Sequence, residues 1–163
     1  MKIDEAIQFL GYSSENKELG AYLTTLGISE RLIFDENPEE WLAKEEGGFI
    51  LIFHEKYGYE SLYGPTNVAG DMIFKGIRLY GPQNTDDFHP YKDKLPYGLD
   101  FEQNPDQIKK ILGAPDFEDE PNTPKRVLIW NNFKGMEIGV VMNKDETQMS
   151  YFDIQPVQSR YHR

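Results

Sequence analysis

The stretch from Leu95 to Asp116 constrains this chain more than any other, because nearly every residue in it has one conformational use. Leu99 and Phe101 alternate with Asp100 and Glu102, the period of a half-buried strand entered through Gly98. Asn104 stands where a helix N-cap belongs, and Pro105 takes the first helical position, where its missing N–H is harmless. Gln107 completes a capping box. Ile108, Ile111 and Leu112 recur at the i, i+3, i+4 spacing of one apolar face, so a short helix should pack on a sheet. Gly113 supplies a left-handed C-cap and Pro115 blocks continuation.

Upstream, Ile3, Ala6, Ile7 and Leu10 form an apolar helical face ended by Gly11. Ser13 or Ser14 can cap a second helix carrying Leu19, Tyr22, Leu23 and Leu26. Arg31 to Phe34 reads as a short strand, and Asp35 to Glu46 as an acidic loop or partly helical excursion around Trp41 and Leu42. The unbroken apolar run Phe49 to Phe53 suits a central strand covered on both faces. Tyr57 to Tyr63, with aromatics at alternate positions, reads as its returning hairpin strand, and Met72 to Tyr80 as another strand. Residues 81–94 are polar and without period, as a linker would be. Phe117 to Lys125 reads as an acidic loop, then Val127–Trp130, Met136–Met142 and Met149–Ile154 as three strands, and Gln155 to Arg163 as a loose tail.

These elements predict an α+β protein, an antiparallel sheet or sheets with a few short helices packed on one side. A chain of 163 residues suits a single domain, 1–163. An internal echo suggests two halves, 1–80 and 95–156, joined by the polar linker 81–94. Each half runs from a helix ending in Leu-Gly to a short strand (Leu32–Phe34; Leu128–Trp130) and then to a Gly-led apolar strand.

Composition narrows the function. With 28 acids against 17 bases the net charge is −11, which disfavours nucleic acid and anionic membrane surfaces as partners and favours a basic protein. Acidity also serves solubility alone. No cysteine is present, so disulfides, thiolate zinc sites and cysteine nucleophiles are excluded. The N-terminus lacks the basic and apolar regions of a signal peptide and no apolar run could span a bilayer, so the cytoplasm is the expected compartment.

Catalytic motifs do not assemble. The chain has no Gly-x-Ser-x-Gly elbow, phosphate-binding glycine loop or His-Glu-x-x-His helix. His54 follows a buried strand, where a structural role is expected, and His162 lies in the tail. His89, beside Asp86 and Asp87, is the one candidate for a small metal-dependent hydrolase. No cofactor or metal is expected. Two acidic stretches are candidates for docking a basic partner: Glu36, Glu39, Glu40, Glu45 and Glu46 around Trp41, and Asp116, Glu118, Asp119 and Glu120. The alternative for each is a solvated charge run, with Trp41 turned into the core.

Gly98-Leu99-Asp100-Phe101, then Gln107 to Pro115, followed by the strand Val127-Leu128-Ile129-Trp130, resembles a motif of small bacterial proteins. Those include lipoproteins of outer-membrane assembly and several families of immunity proteins that neutralise toxins exchanged between competing bacteria, as in contact-dependent growth inhibition. The resemblance covers roughly the C-terminal 60 residues. Leu95-Pro96-Tyr97-Gly98-Leu99 ahead of the helix and a helical N-terminal half look more like the cytoplasmic immunity type, and the missing lipidation cysteine argues against an assembly adaptor. The resemblance implies a non-enzymatic inhibitor that binds the C-terminal domain of a cognate toxin, a nuclease being the natural basic target, through an acidic surface.

Overall fold

A computed structural model describes residues 1–162. Its centre is one antiparallel sheet of seven strands in the order β1-β2-β3-β7-β6-β5-β4. The strands are β1 (Glu39–Lys44), β2 (Phe49–Glu55), β3 (Met72–Tyr80), β4 (Phe117–Glu118), β5 (Val127–Phe133), β6 (Met136–Met142) and β7 (Met149–Pro156), and the helices α1 (Ile3–Ile7), α2 (Lys17–Thr25), α3 (Lys56–Tyr63) and α4 (Pro105–Leu112). The expected α+β class is therefore the observed one. Two three-stranded meanders, β1-β2-β3 and β5-β6-β7, meet where β3 pairs with β7.

One face of the sheet forms the core. Leu42, Leu51, Ile77, Ile154, Ile138 and Trp130 lie side by side across six strands, and Phe49, Leu79, Phe152, Val140 and Leu128 form the next row. Ile3 and Ala6 of α1, Leu19 and Leu23 of α2, and Ile108 and Leu112 of α4 cover these rows. Each fully buried aliphatic or aromatic side chain contributes about 1.5–3 kcal/mol of transfer free energy, so this layer dominates the fold. α4 is built as its sequence predicts: the Asn104 side chain and Gln107 form a reciprocal capping box, and Gly113 has φ 84°.

Several elements differ from the sequence reading. α2 is capped by Asn16, whose side chain accepts the Glu18 and Leu19 amides, and not by Ser13 or Ser14. Residues 11–14 instead run beside the first half of β3, with Ser14 N–H bonded to Met72 and Ser13 bridged to Ile73. Arg31 to Phe34 form no strand; Ile33 and Phe34 are exposed. The acidic stretch holds an edge strand, β1, because Glu40, Leu42 and Lys44 alternate with Glu39, Trp41 and Ala43 in register with β2. Tyr57 to Tyr63 belong to a helix: Glu55 caps it by accepting the Tyr57 and Gly58 amides, and Tyr59 and Tyr63, four residues apart, pack with tilted rings 4.7 Å between centres. Residues 99–102 form a turn rather than a strand, although Leu99 and Phe101 are buried as expected. β2 lies one strand in from the edge. Its tail-end counterpart, β7, runs on to Pro156, Val157 is buried, and a single 3-10 turn (Ser159–Tyr161) packs by α3.

Residues 81–94 have no regular structure but are fastened. Phe88 stacks on Tyr80 at 4.1 Å, Tyr91 N–H donates to the Tyr80 carbonyl, and the Tyr91 hydroxyl accepts from the Ile3 amide and donates to the Met1 carbonyl. Gly48, at φ 70°, lies so close beneath them that a Cβ would meet the His89 carbonyl at 2.4 Å.

Candidate functional site: the uncovered face of the sheet

The second face of the sheet is covered only at its ends. α3 folds onto one end, with Gly58 against the His54 ring, and the Phe88 strap covers the other. Between them one row crosses all seven strands in register: Ala43, Ile50, Arg78, Asp153, Gly139, Ile129 and Phe117. Phe117, 50% exposed, stands at one end, and Trp41, 47% exposed and two residues from Ala43 on the same face of β1, stands beside the other.

Charge is concentrated in the middle of this row. Arg78 donates from Nε and Nη2 to both carboxylate oxygens of Asp153, each at 2.9 Å. The same guanidinium lies 4.0 Å from the centre of the Tyr151 ring and 5.3 Å from that of Trp41, so one cation on β3 ties together three aromatic or acidic groups from β1 and β7. Burial works against the guanidinium charge, and the Asp153 hydrogen bonds and attraction outweigh it, leaving its pKa above the ordinary arginine value. Burial pushes the Asp153 carboxyl up, against the pull of Arg78. Beside this cluster Glu39 accepts from Lys75 at 2.7 Å and from the Trp41 indole at 2.8 Å. Burial raises the Glu39 carboxyl, but these two hydrogen bonds bring it below the usual value.

The sequence-derived residues do not form one surface. The stretch around Trp41 and the stretch from Asp116 lie on the two opposite edge strands; six strand spacings of about 4.8 Å separate them by roughly 29 Å. In the first, Trp41 and Glu39 belong to the uncovered face, Glu40 to the other, and Glu36, Glu45 and Glu46 are exposed in the flanking loops. Trp41 is therefore not in the core. In the second, the acids act within the chain. Glu118 is bridged to Lys109 at 2.6 Å and to Arg126 at 2.8 Å, Asp119 accepts the Val127 amide, and Asp116 accepts the Asn131 amide. Arg126, also paired with Glu146, clasps this edge shut. Glu120 is exposed. Both stretches place charge on sheet edges, which discourages edge-to-edge pairing.

The histidine candidates stay apart. His54 Nδ1 is bonded to the Glu55 carbonyl at 3.0 Å and His162 Nε2 to the Val157 carbonyl at 3.1 Å. Asp86 accepts the Tyr80 hydroxyl at 3.0 Å. Among the described residues no three His, Asp or Glu side chains come together as a metal site, His89 with Asp86 and Asp87 included, and no helix is long and apolar enough to cross a membrane. Sequence reasoning missed Arg78, Tyr151 and Asp153. Part of their signal was legible: Asp153 is the lone charge of an apolar strand and Arg78 sits between Ile77 and Leu79, and such charges need partners.

No family model matches the chain, and no curated protein matches it. Among solved structures, the crystal structure of a DUF4309 family protein (YjgB) from Bacillus subtilis is similar at 17% identity, covering 84% of this chain and 76% of that one, with a TM-score of 0.43.

Proposed function

We propose that this chain is an immunity-type inhibitor that acts in the cytoplasm and binds the C-terminal domain of a cognate bacterial toxin on the uncovered face of its sheet. One observation carries the placement: a row crossing all seven strands lies free of helices, with Phe117 exposed at one end, Trp41 exposed beside the other and a half-buried Arg78–Asp153 pair in its middle. Large aromatics and arginine around such a centre are the residue types that dominate protein interfaces. The resemblance of Gly98–Phe101, Gln107–Pro115 and Val127–Trp130 to immunity proteins supplies the class. The net charge of −11 favours a basic target, such as a nuclease whose own surface must hold phosphates, and would accelerate the encounter.

The test is growth. The C-terminal domain encoded by the reading frame immediately upstream is expressed in a host with and without this chain. Toxicity relieved by this chain, and not by its Trp41→Ala/Phe117→Ala variant expressed to the same level, is the expected result. A harmless neighbour, or toxicity that persists beside well-folded protein, overturns the reading.

A further inference from the structure

Gly139 leaves a hole in the uncovered face. Its neighbours along β6 are Glu137 and Val141, and its partners across the ladder are Asp153 and Ile129. With Tyr151 and Gln155 at the corners they enclose a recess of about 180 Å³. The fold does not require glycine here. The backbone lies outside the left-handed region, and an added Cβ would meet only Asp153 Cβ, at an ordinary 3.5 Å. A glycine inside a strand weakens it, by about 0.5–1 kcal/mol relative to alanine on the helix-and-strand scale, so the hole has a cost that the fold itself does not explain.

The chemistry of the lining selects an occupant. Ile129, Val141 and the Tyr151 ring form apolar walls, and the polar end holds two carboxylates. Asp153 is already neutralised by Arg78. Glu137 makes no ion pair among the described residues: its oxygens accept only the neutral amides of Gln155 and Gln158, which orient the carboxylate without cancelling its charge. Burial pushes this carboxyl up, and Gln155, Arg160, Gln158 and Lys75 offset that only in part. An apolar side chain entering the recess would strip water from Glu137 and give nothing back; an anion would be repelled. A long cationic side chain satisfies both ends, its stem on the apolar walls and its head on the carboxylate.

We propose that the recess over Gly139 is a socket for one arginine or lysine side chain of the docked partner, with Glu137 as the acceptor of its charge. The inference rests on this face being the docking face, and its first test needs no toxin, so the two readings fail separately. The full ¹⁵N-labelled chain is titrated with N-acetylarginine N-methylamide and, in parallel, with the citrulline compound, which has the same shape and no charge. The expected result is chemical-shift change centred on Gly139 and Ile129 and on the side-chain amides of Gln155 and Gln158, with the citrulline compound binding at least tenfold more weakly. Gly139→Val occupies the floor of the recess, where the stem of the cation must lie, without altering charge, and Glu137→Gln removes the charge without occupying the recess; each should abolish the response while the rest of the spectrum is unchanged. No response to the arginine compound, an equal response to citrulline, or a response that survives Gly139→Val overturns the proposal. If growth rescue succeeds while Gly139→Val binds the toxin as tightly as the unsubstituted chain, the socket is wrong and the inhibitor reading stands.

Discussion

Arg78 holds both carboxylate oxygens of Asp153 at 2.9 Å, and the two residues stand on β3 and β7, the strands that join the two meanders of the sheet. The pair is thus a clamp across the seam of the fold as well as the centre of its uncovered face. Both roles follow from one geometry, since a guanidinium fork matches a carboxylate only when the strands are in register.

Removing one partner strands the other in a half-buried site. Arg78→Met and Asp153→Leu should each lower stability by about 2 kcal/mol, below the range for a fully buried pair because both groups keep some access to water. Replacing both, Arg78→Met with Asp153→Leu, should cost less than either single change. Urea midpoints of the three variants decide it, and strict additivity would contradict the coupling.

Trp41 is half exposed, so Trp41→Ala should change the stability of the free chain by less than about 1 kcal/mol. Its effect on a docked partner should be far larger, at least tenfold in affinity, or about 1.4 kcal/mol. Calorimetric titration of the toxin domain beside thermal melts of the free variant separates the two effects.

Glu137 makes a pH prediction whose sign is set by its raised pKa. Between the ordinary carboxyl value and the raised one, the folded chain holds a proton that the unfolded chain has released. Glu137 therefore subtracts from stability as pH rises through the raised value, and the full subtraction is present above it. Glu137→Gln should melt higher than the unsubstituted chain at pH 7, with the difference shrinking to nothing as pH falls below the ordinary carboxyl value. A uniform difference at all pH values would assign the effect to packing instead.

Charge reversal separates structural from free acids on the first edge. Glu39→Lys sets a second cation against Lys75 and strips the Trp41 indole of its acceptor, and it should cost about 1–2 kcal/mol. Glu36→Lys, in an exposed loop, should cost almost nothing. The depressed Glu39 carboxyl adds a signature: its contribution is present above the ordinary carboxyl value and is lost as pH falls through the depressed one. Acid melts of Glu39→Gln should lose that dependence.

The helix α4 was legible because its stop and start signals are local: Asn104, Pro105, Gln107 and Gly113 each act within one turn. Strands β3, β5, β6 and β7 were legible from their apolar runs. β1 was not, because its polar side faces solvent at a sheet edge and the six acids between Asp35 and Glu46 mask the alternation of Leu42 with Trp41. α3 was misread because Tyr57, Tyr59 and Tyr63 satisfy a two-residue period as well as a helical one, and only the Glu55 cap, formed at a strand end, decides between them. The uncovered row was out of reach for a different reason. Ala43, Ile50, Arg78, Asp153, Gly139, Ile129 and Phe117 come from seven separate segments, and their alignment exists only once every register is set. The hole over Gly139 is defined by what its neighbours leave empty.

The Tyr91 hydroxyl that holds Met1 and Ile3 imposes an order in time. α1 has five residues, too few to persist as an isolated helix. Residues 1–7 must therefore wait for residue 91 to be synthesised before this anchor exists, a delay on the order of ten seconds at ordinary rates of synthesis. Until then Ile3 and Ala6 lack the hydroxyl that fixes their segment, so α1 is secured only after β1, β2 and β3 have all been made.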